Sequence, residues 1–110
     1  MTAARRKLLG QLQRRLAKGT LRTDERTLQR HAGDKWSATN PPDAVAFPRS
    51  AKAVAEILKF ANRHRIPVTA RGSGFGYVGG CVPVRGGIAL SLAKMKRIRE
   101  ISASDFVAVV

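Results

Sequence analysis

The densest chemical signal in the sequence is the run RGSGFGYVGG, Arg71 to Gly80. Gly72, Gly74, Gly76, Gly79 and Gly80 make up half of the chain's 10 glycines. Residues without Cβ can take positive φ, which lets successive N–H groups turn toward one point. Phosphate oxygens accept charge-assisted bonds from such a concave donor array, and Arg71 at the entrance could add a formal positive charge. On spacing alone, phosphate binding and a plain turn or bulge both stay open, as do phosphate pairing and a surface ion pair for Arg71. Two other phosphate sites are excluded. Gly74, Gly76 and Gly79 satisfy GxGxxG, but Val82, Pro83 and Val84 follow, which is extended chain and not the helix that a dinucleotide fingerprint opens. No Lys followed by Ser or Thr closes the run, so it is not a P-loop.

The remaining reactive side chains are few. Cys81 is the only cysteine, which excludes an intramolecular disulfide and a thiolate metal site, and no metal is expected. A small residue filling a tight buried turn is its expected role. His31 and His64 have no carboxylate or nucleophile pattern beside them, and surface or helix-end roles are expected. Trp36 and Tyr77 could stack on a planar ligand, with ordinary packing as the plainer reading.

The elements that must position the run can be read on either side of it. Ala44 to Phe47 is a short apolar run ended by Pro48 and reads as a buried strand. Ser50 can cap a helix in which Val54, Ile57, Leu58 and Ala61 recur at i, i+3, i+4 and i+7, and Pro67 prevents its continuation. Ile66 to Ala70 is then a second strand, so strand, helix and strand form a βαβ unit leading into the glycines. Ile88 to Leu92 and Phe106 to Val110 read as further strands, with a basic turn-and-helix stretch around Lys94 to Glu100 between them. Upstream, Thr23, Asp24 and Glu25 supply a cap and acidic first turn for a short helix through about Ala32. A loop from Gly33 to Asp43 follows, with its turn cluster at Asn40, Pro41, Pro42 and Asp43.

At 110 residues, one domain is the ceiling. The formal charge of +14 is extreme for that length and would draw the chain toward anionic partners. Much of it lies in the first thirty residues, where basic residues alternate with Leu8, Leu9, Leu12 and Leu16 in the pattern of an amphipathic helix. A docking helix with a solvated basic face, a nucleic-acid or membrane-surface patch and an organellar transit peptide all remain open readings of it. No apolar run approaches the roughly 20 residues needed to cross a bilayer, and a cytoplasmic protein is the default expectation.

The order from AVAFPRS through IPVTARGSGFGYVGGCVPVRGGIALSLAKMKRI, Ala44 to Ile98, within a stretch from roughly Leu21 to the end, resembles the N-terminal half of the FAD-binding domain of FAD-linked oxidases of the PCMH or vanillyl-alcohol-oxidase type. Within that family it looks most like the glycolate oxidase subunit and D-lactate dehydrogenase branch. FPRS, the IPV strand, RGSG, and GGCVP followed by GGI are its most specific pieces. Asp34 also sits where the family tends to carry an aspartate. The resemblance implies an α+β fold: a subdomain with short, mostly parallel strands around the βαβ unit, preceded by the basic helix. Residues 1–32 would form the helical segment and 33–110 a partial FAD-binding domain.

The resemblance further implies that Arg71, Gly72, Ser73, Gly74, Phe75 and Gly76 cradle the pyrophosphate of FAD, with Gly79, Gly80 and Cys81 beside it and the flavin. Phe75 stands where some relatives have a flavin-linked histidine, so FAD is expected to be held non-covalently. Phe75 and Val78 also replace hydroxyl-bearing residues, which leaves binding to backbone donors, and Ser91 stands where the branch often has aspartate. A small 2-hydroxy acid is the implied substrate once a C-terminal part or companion chain completes the domain, and no catalytic residue is named in this stretch. The chain stops inside an apolar strand, which predicts a fragment with one sheet face poorly covered and marginal stability. The competing reading is a small basic module for nucleic acid or an acidic surface, using Arg5 to Arg30. That module would bind with steep salt dependence whatever stood at Gly74 and Gly76, whereas FAD uptake would be lost when those glycines acquire side chains.

Overall fold

The computed structural model describes all 110 residues. Thr2 caps the first helix, its side chain accepting from the Arg5 amide, and α1 runs over Ala3–Arg15. Leu9 and Leu12 are its buried residues, with Leu8 and Leu16 partly buried against the same core, so the leucine face docks and the basic face stays in water. After a turn at Gly19 the chain forms β1 (Leu21–Arg22), then α2 (Glu25–Arg30), capped by Asp24. The second strand, β2, is Ala44–Ala46, and α3 spans Ala51–Arg63 behind the Ser50 cap. Next come β3 (Val68–Arg71), β4 (Ile88–Ser91), β5 (Glu100–Ser102) and β6 (Val107–Val109).

The first four strands make one sheet in the order β1-β2-β4-β3, with β1 antiparallel to β2 and the other three mutually parallel. The mixed, mostly parallel α+β architecture therefore forms as expected. The βαβ unit differs in one respect: β2 and β3 are not neighbours, because β4 lies between them and pairs with both. A central strand must satisfy its backbone on both edges and bury both faces, and Ile88, Ala89, Leu90 and Ser91 are all buried.

On one face Ala44, Ala46, Ile88 and Leu90 meet Ile57, Phe60 and Ala61 of α3 and Leu9 and Leu12 of α1 in a single core. Leu12, Ile57 and Ile88 are each fully buried, a burial that contributes roughly 1.5–3 kcal/mol per side chain. Val45 and Ala89 alternate to the opposite face and are also fully buried, with α2 packed against β2. The poorly covered face expected from a single crossover helix is not found. Two further differences concern the C-terminal part. No helix forms around Lys94 to Glu100; instead the Arg99 amide donates to the Val109 carbonyl at 2.7 Å and starts the β5–β6 ladder. That antiparallel pair forms a hairpin separate from the four-stranded sheet. No helix is long and apolar enough to cross a membrane.

Candidate functional site

The glycine run leaves the sheet at the end of β3. Arg71 is the last paired residue, opposite Ser91, and its carbonyl accepts from Leu92 N at 3.0 Å. Beyond it the backbone stops pairing. From Gly72 to Cys81 a single main-chain N–H, that of Gly79, meets an acceptor within the protein. Gly72, Ser73, Phe75, Gly76 and Gly80 are exposed, Gly74 half-buried, so these donors face solvent or a ligand. Gly74 and Gly79 hold φ of +78° and +76°, where side chains are strained and where the chain direction reverses. A Cβ added at Gly72, Gly76 or Gly80 would meet nothing within 4 Å. The space above those three glycines is open, and the protein itself does not require their lack of a side chain.

The loop between α2 and β2 braces this run. Asp34 receives the Gly79 amide on Oδ2 at 3.0 Å and the Trp36 amide on Oδ1 at 2.9 Å, and Lys35 N donates to the Gly76 carbonyl at 3.0 Å. Asn40 Nδ2 donates to the Pro83 carbonyl at 2.8 Å. The Val82 amide closes back on the Gly79 carbonyl at 3.1 Å, forming the turn that holds Gly80 and Cys81. Arg71 lies against Gly74 of the run, donating from a guanidinium nitrogen to the Gly33 carbonyl at 2.6 Å and lying 3.8 Å from Cys81 Sγ. It thus makes neither a surface ion pair nor a contact that spends all its donors, since a guanidinium has five. Cys81 is half-buried between Arg71 and Gly33.

Around the rim, Trp36 and Tyr77 pack edge to face at 6.3 Å, and Lys35 Nζ lies 5.2 Å from the centre of the Phe75 ring. Phe75 and Tyr77 are nearly two-thirds exposed, at 65% and 64%, so the open face of the run is bordered by aromatic rings. His31 and His64 sit at the C-termini of α2 and α3, as expected, and His31 Nδ1 lies 2.8 Å from the Thr27 carbonyl. No group of His, Cys, Asp or Glu is arranged to hold a metal. Ser91 is buried, and its hydroxyl accepts from the Ala93 amide at 3.3 Å. The partners the sequence did not yield are Asn40 and the Gly33 carbonyl. Both join the run across 38 or more positions, a separation that leaves no local pattern.

The run thus presents main-chain amides without protein acceptors, and residues 42–110 match the family described as FAD binding domain. The chain belongs to that family. Its cofactor is FAD. An uncharacterised FAD-linked oxidoreductase of Mycobacterium tuberculosis is 41% identical over 75 residues, which is 66% of this chain and 16% of the mycobacterial protein. The glycolate oxidase subunit GlcD of Bacillus subtilis is 39% identical over 63% of the chain and 15% of its own length. The D-lactate dehydrogenase of Archaeoglobus fulgidus is 46% identical over 59% and 14%. This FAD-binding chain thus spans about a sixth of the relatives it matches. Among solved structures, 4-ethylphenol oxidase from Gulosibacter chungangensis superposes with a TM-score of 0.77 at 29% identity, over 93% of this chain and 21% of that one. p-Cresol methylhydroxylase gives the same TM-score at 24% identity and shows the shared fold.

Proposed function

We propose that the run Gly72 to Gly80 holds the FAD pyrophosphate through main-chain amides, in an FAD-linked oxidoreductase that takes a small 2-hydroxy acid of the glycolate or D-lactate class. The single observation that carries the cofactor reading is the row of unpaired N–H groups from Gly72 to Val78, with open space beside Gly72 and Gly76. Asp34 positions that row by anchoring Gly79, and Arg71 lies against Gly74 while leaving donors for a phosphate oxygen. Cys81 and Gly80 occupy the adjoining turn. Phe75 offers the flavin no nucleophile, so the cofactor is held without a covalent link. Bound FAD supplies the hydride acceptor, and the protein supplies position and electrostatics. Similarity to glycolate and D-lactate enzymes supports the substrate class, with the substrate groups contributed by a further part of the chain or by a companion chain.

The test uses the single tryptophan, Trp36, beside the run. Titration with FAD should quench its fluorescence. Gly72→Ala and Gly76→Ala should each weaken FAD at least about tenfold, because a displaced charge-assisted bond costs roughly 1.5–3 kcal/mol. Both variants should keep the wild-type thermal transition. FAD affinity indifferent to both substitutions would overturn the assignment. Anaerobic addition of glycolate or D-lactate to flavin-loaded protein completed by that further part or companion chain should bleach the flavin absorbance with one of the two; bound flavin in the completed protein that neither bleaches removes the 2-hydroxy acid and leaves the cofactor site standing.

A further inference from the structure

A second cleft lies outside the glycine run and shares no residue with it. Its volume is about 490 Å³, in the range of small-molecule sites. Five cations line it, each from a different segment: Lys18 from the turn after α1, Arg22 from β1, Arg30 from the end of α2, Arg49 from the turn after β2, and Lys94 from the turn after β4. No carboxylate lines it. The ion pairs of the molecule are Arg5 with Asp43 and Arg22 with Asp24, so Lys18, Arg30, Arg49 and Lys94 have no carboxylate partner. None of the four donates a hydrogen bond to another protein group either, and all are exposed.

Four segments converging uncompensated cations on one concavity is an unfavourable arrangement by itself, because like charges repel and the cavity walls focus the field. An anion relieves it. Two hydroxyl-bearing residues, Thr20 and Thr27, line the same cleft and add neutral hydrogen-bonding groups, while its apolar lining is confined to Ala17 and Phe47. That composition selects for charge over apolar surface. We propose that this cleft binds a ligand carrying two or more adjacent phosphate groups, at a site separate from the FAD pyrophosphate. Four unpaired cations exceed what one phosphate dianion neutralises, and their separate origins in the fold suit a chain of phosphates. With Phe47 and His31 as its only rings, packed edge to face on each other at 5.3 Å, the cleft lacks the series of stacking platforms on which single-stranded nucleic acid depends.

Calorimetric titration of the chain with inorganic tripolyphosphate at fixed ionic strength tests this. One ion should bind per chain, at least about tenfold more tightly than orthophosphate. Arg49→Ala with Lys94→Ala should weaken it at least about tenfold, whereas Lys59→Ala with Arg63→Ala, which removes the same charge from α3, should change it less than about twofold. All four positions are exposed, and circular dichroism should show both double variants folded. Adenosine triphosphate provides the arm for source: equal affinity assigns the site to a free phosphate chain, and tighter binding assigns it to a nucleotide. Equal loss in the two double variants would reduce the effect to net charge and overturn the site. So would loss on Gly76→Ala with Arg49→Ala and Lys94→Ala silent, orthophosphate binding as tightly as tripolyphosphate, or a single-stranded oligonucleotide whose binding responds equally to Arg6→Ala on α1.

Discussion

At Gly87 the backbone holds φ of +74°, and a Cβ there would overlap the Pro67 carbonyl, which also accepts from Ile88 N at 2.8 Å. Gly87 itself donates to Asp43 Oδ2 at 2.8 Å, and Asp43 in turn receives Arg5 of α1 at 3.1 Å. Strain, collision and the loss of a node joining α1, β2 and β4 coincide at this position. Gly87→Ala is expected to destabilise the chain by at least about 3 kcal/mol, read as a lowered urea midpoint. The run that precedes it behaves differently residue by residue. Gly72 and Gly76 are free to accept a methyl group without disturbing the protein, which makes them clean probes of the ligand. Gly74 is not one, because its Cβ would strain a positive φ and overlap the Arg71 guanidinium, mixing loss of fold with loss of binding. A test that pairs Gly74 with Gly76, which glycine content alone suggests, would therefore confound two effects that the structure separates.

At the scale of elements, α3 was the most readable part: Ser50 caps it, and Ile57 and Ala61 of its apolar series enter the core. Its C-terminus holds a feature that periodicity does not show. Arg65 follows the cap in the left-handed region at φ 53°, where glycine is usual. Arg65→Gly is expected to stabilise the chain by about 0.5–1 kcal/mol, raising Tm by a few degrees. In α2 the Asp24 carboxylate accepts from the Thr27 hydroxyl at 2.7 Å and the Thr27 amide at 3.2 Å, with Arg22 alongside. The Thr27 side chain, then its amide and Arg22, hold the Asp24 carboxyl below its ordinary value of 3.8 against the opposing effect of desolvation. A lowered folded value means stability present above the unfolded value and lost as pH falls through the folded one. Asp24→Ala should accordingly destabilise at neutral pH, and its difference from the parent should shrink as pH drops below 3.8, measured by parallel denaturant titrations. Strand order was not legible, because β4 enters between β2 and β3 through pairings that depend on which strand best buries both faces. The stretch from Lys94 to Glu100 misled for a related reason: without a cap or an apolar stripe in the core, its backbone takes the longer-range bond to Val109 instead.

For the whole molecule, the Cα radius of gyration is 15.1 Å and the long axis 54 Å, against about 13 Å expected for a compact chain of this length. The β5–β6 hairpin stands apart from the four-stranded sheet. Every residue of β6 and most of β5 is exposed, Phe106 is 95% exposed at a positive φ, and neither strand joins the four-stranded sheet. An isolated two-stranded hairpin is marginal in water, whereas β4 is paired on both edges beneath two covered faces. These two parts should therefore open independently. In hydrogen exchange followed by mass spectrometry, the amides of Ile88–Ser91 are expected to be protected at least about a hundredfold more than those of Val107–Val109. Mild denaturant should erase the difference only as the chain unfolds globally. Equal protection would mean that the hairpin is held by contacts as strong as the core's. The independence matters for the proposed cofactor site, since the loops bracing Gly72 to Gly80 hang from β3, β4 and the Gly33–Asn40 segment and not from the hairpin. Flavin binding to the chain should then raise protection in β3 and β4 and leave β5 and β6 unchanged, because a ligand stabilises those openings that disrupt its own site.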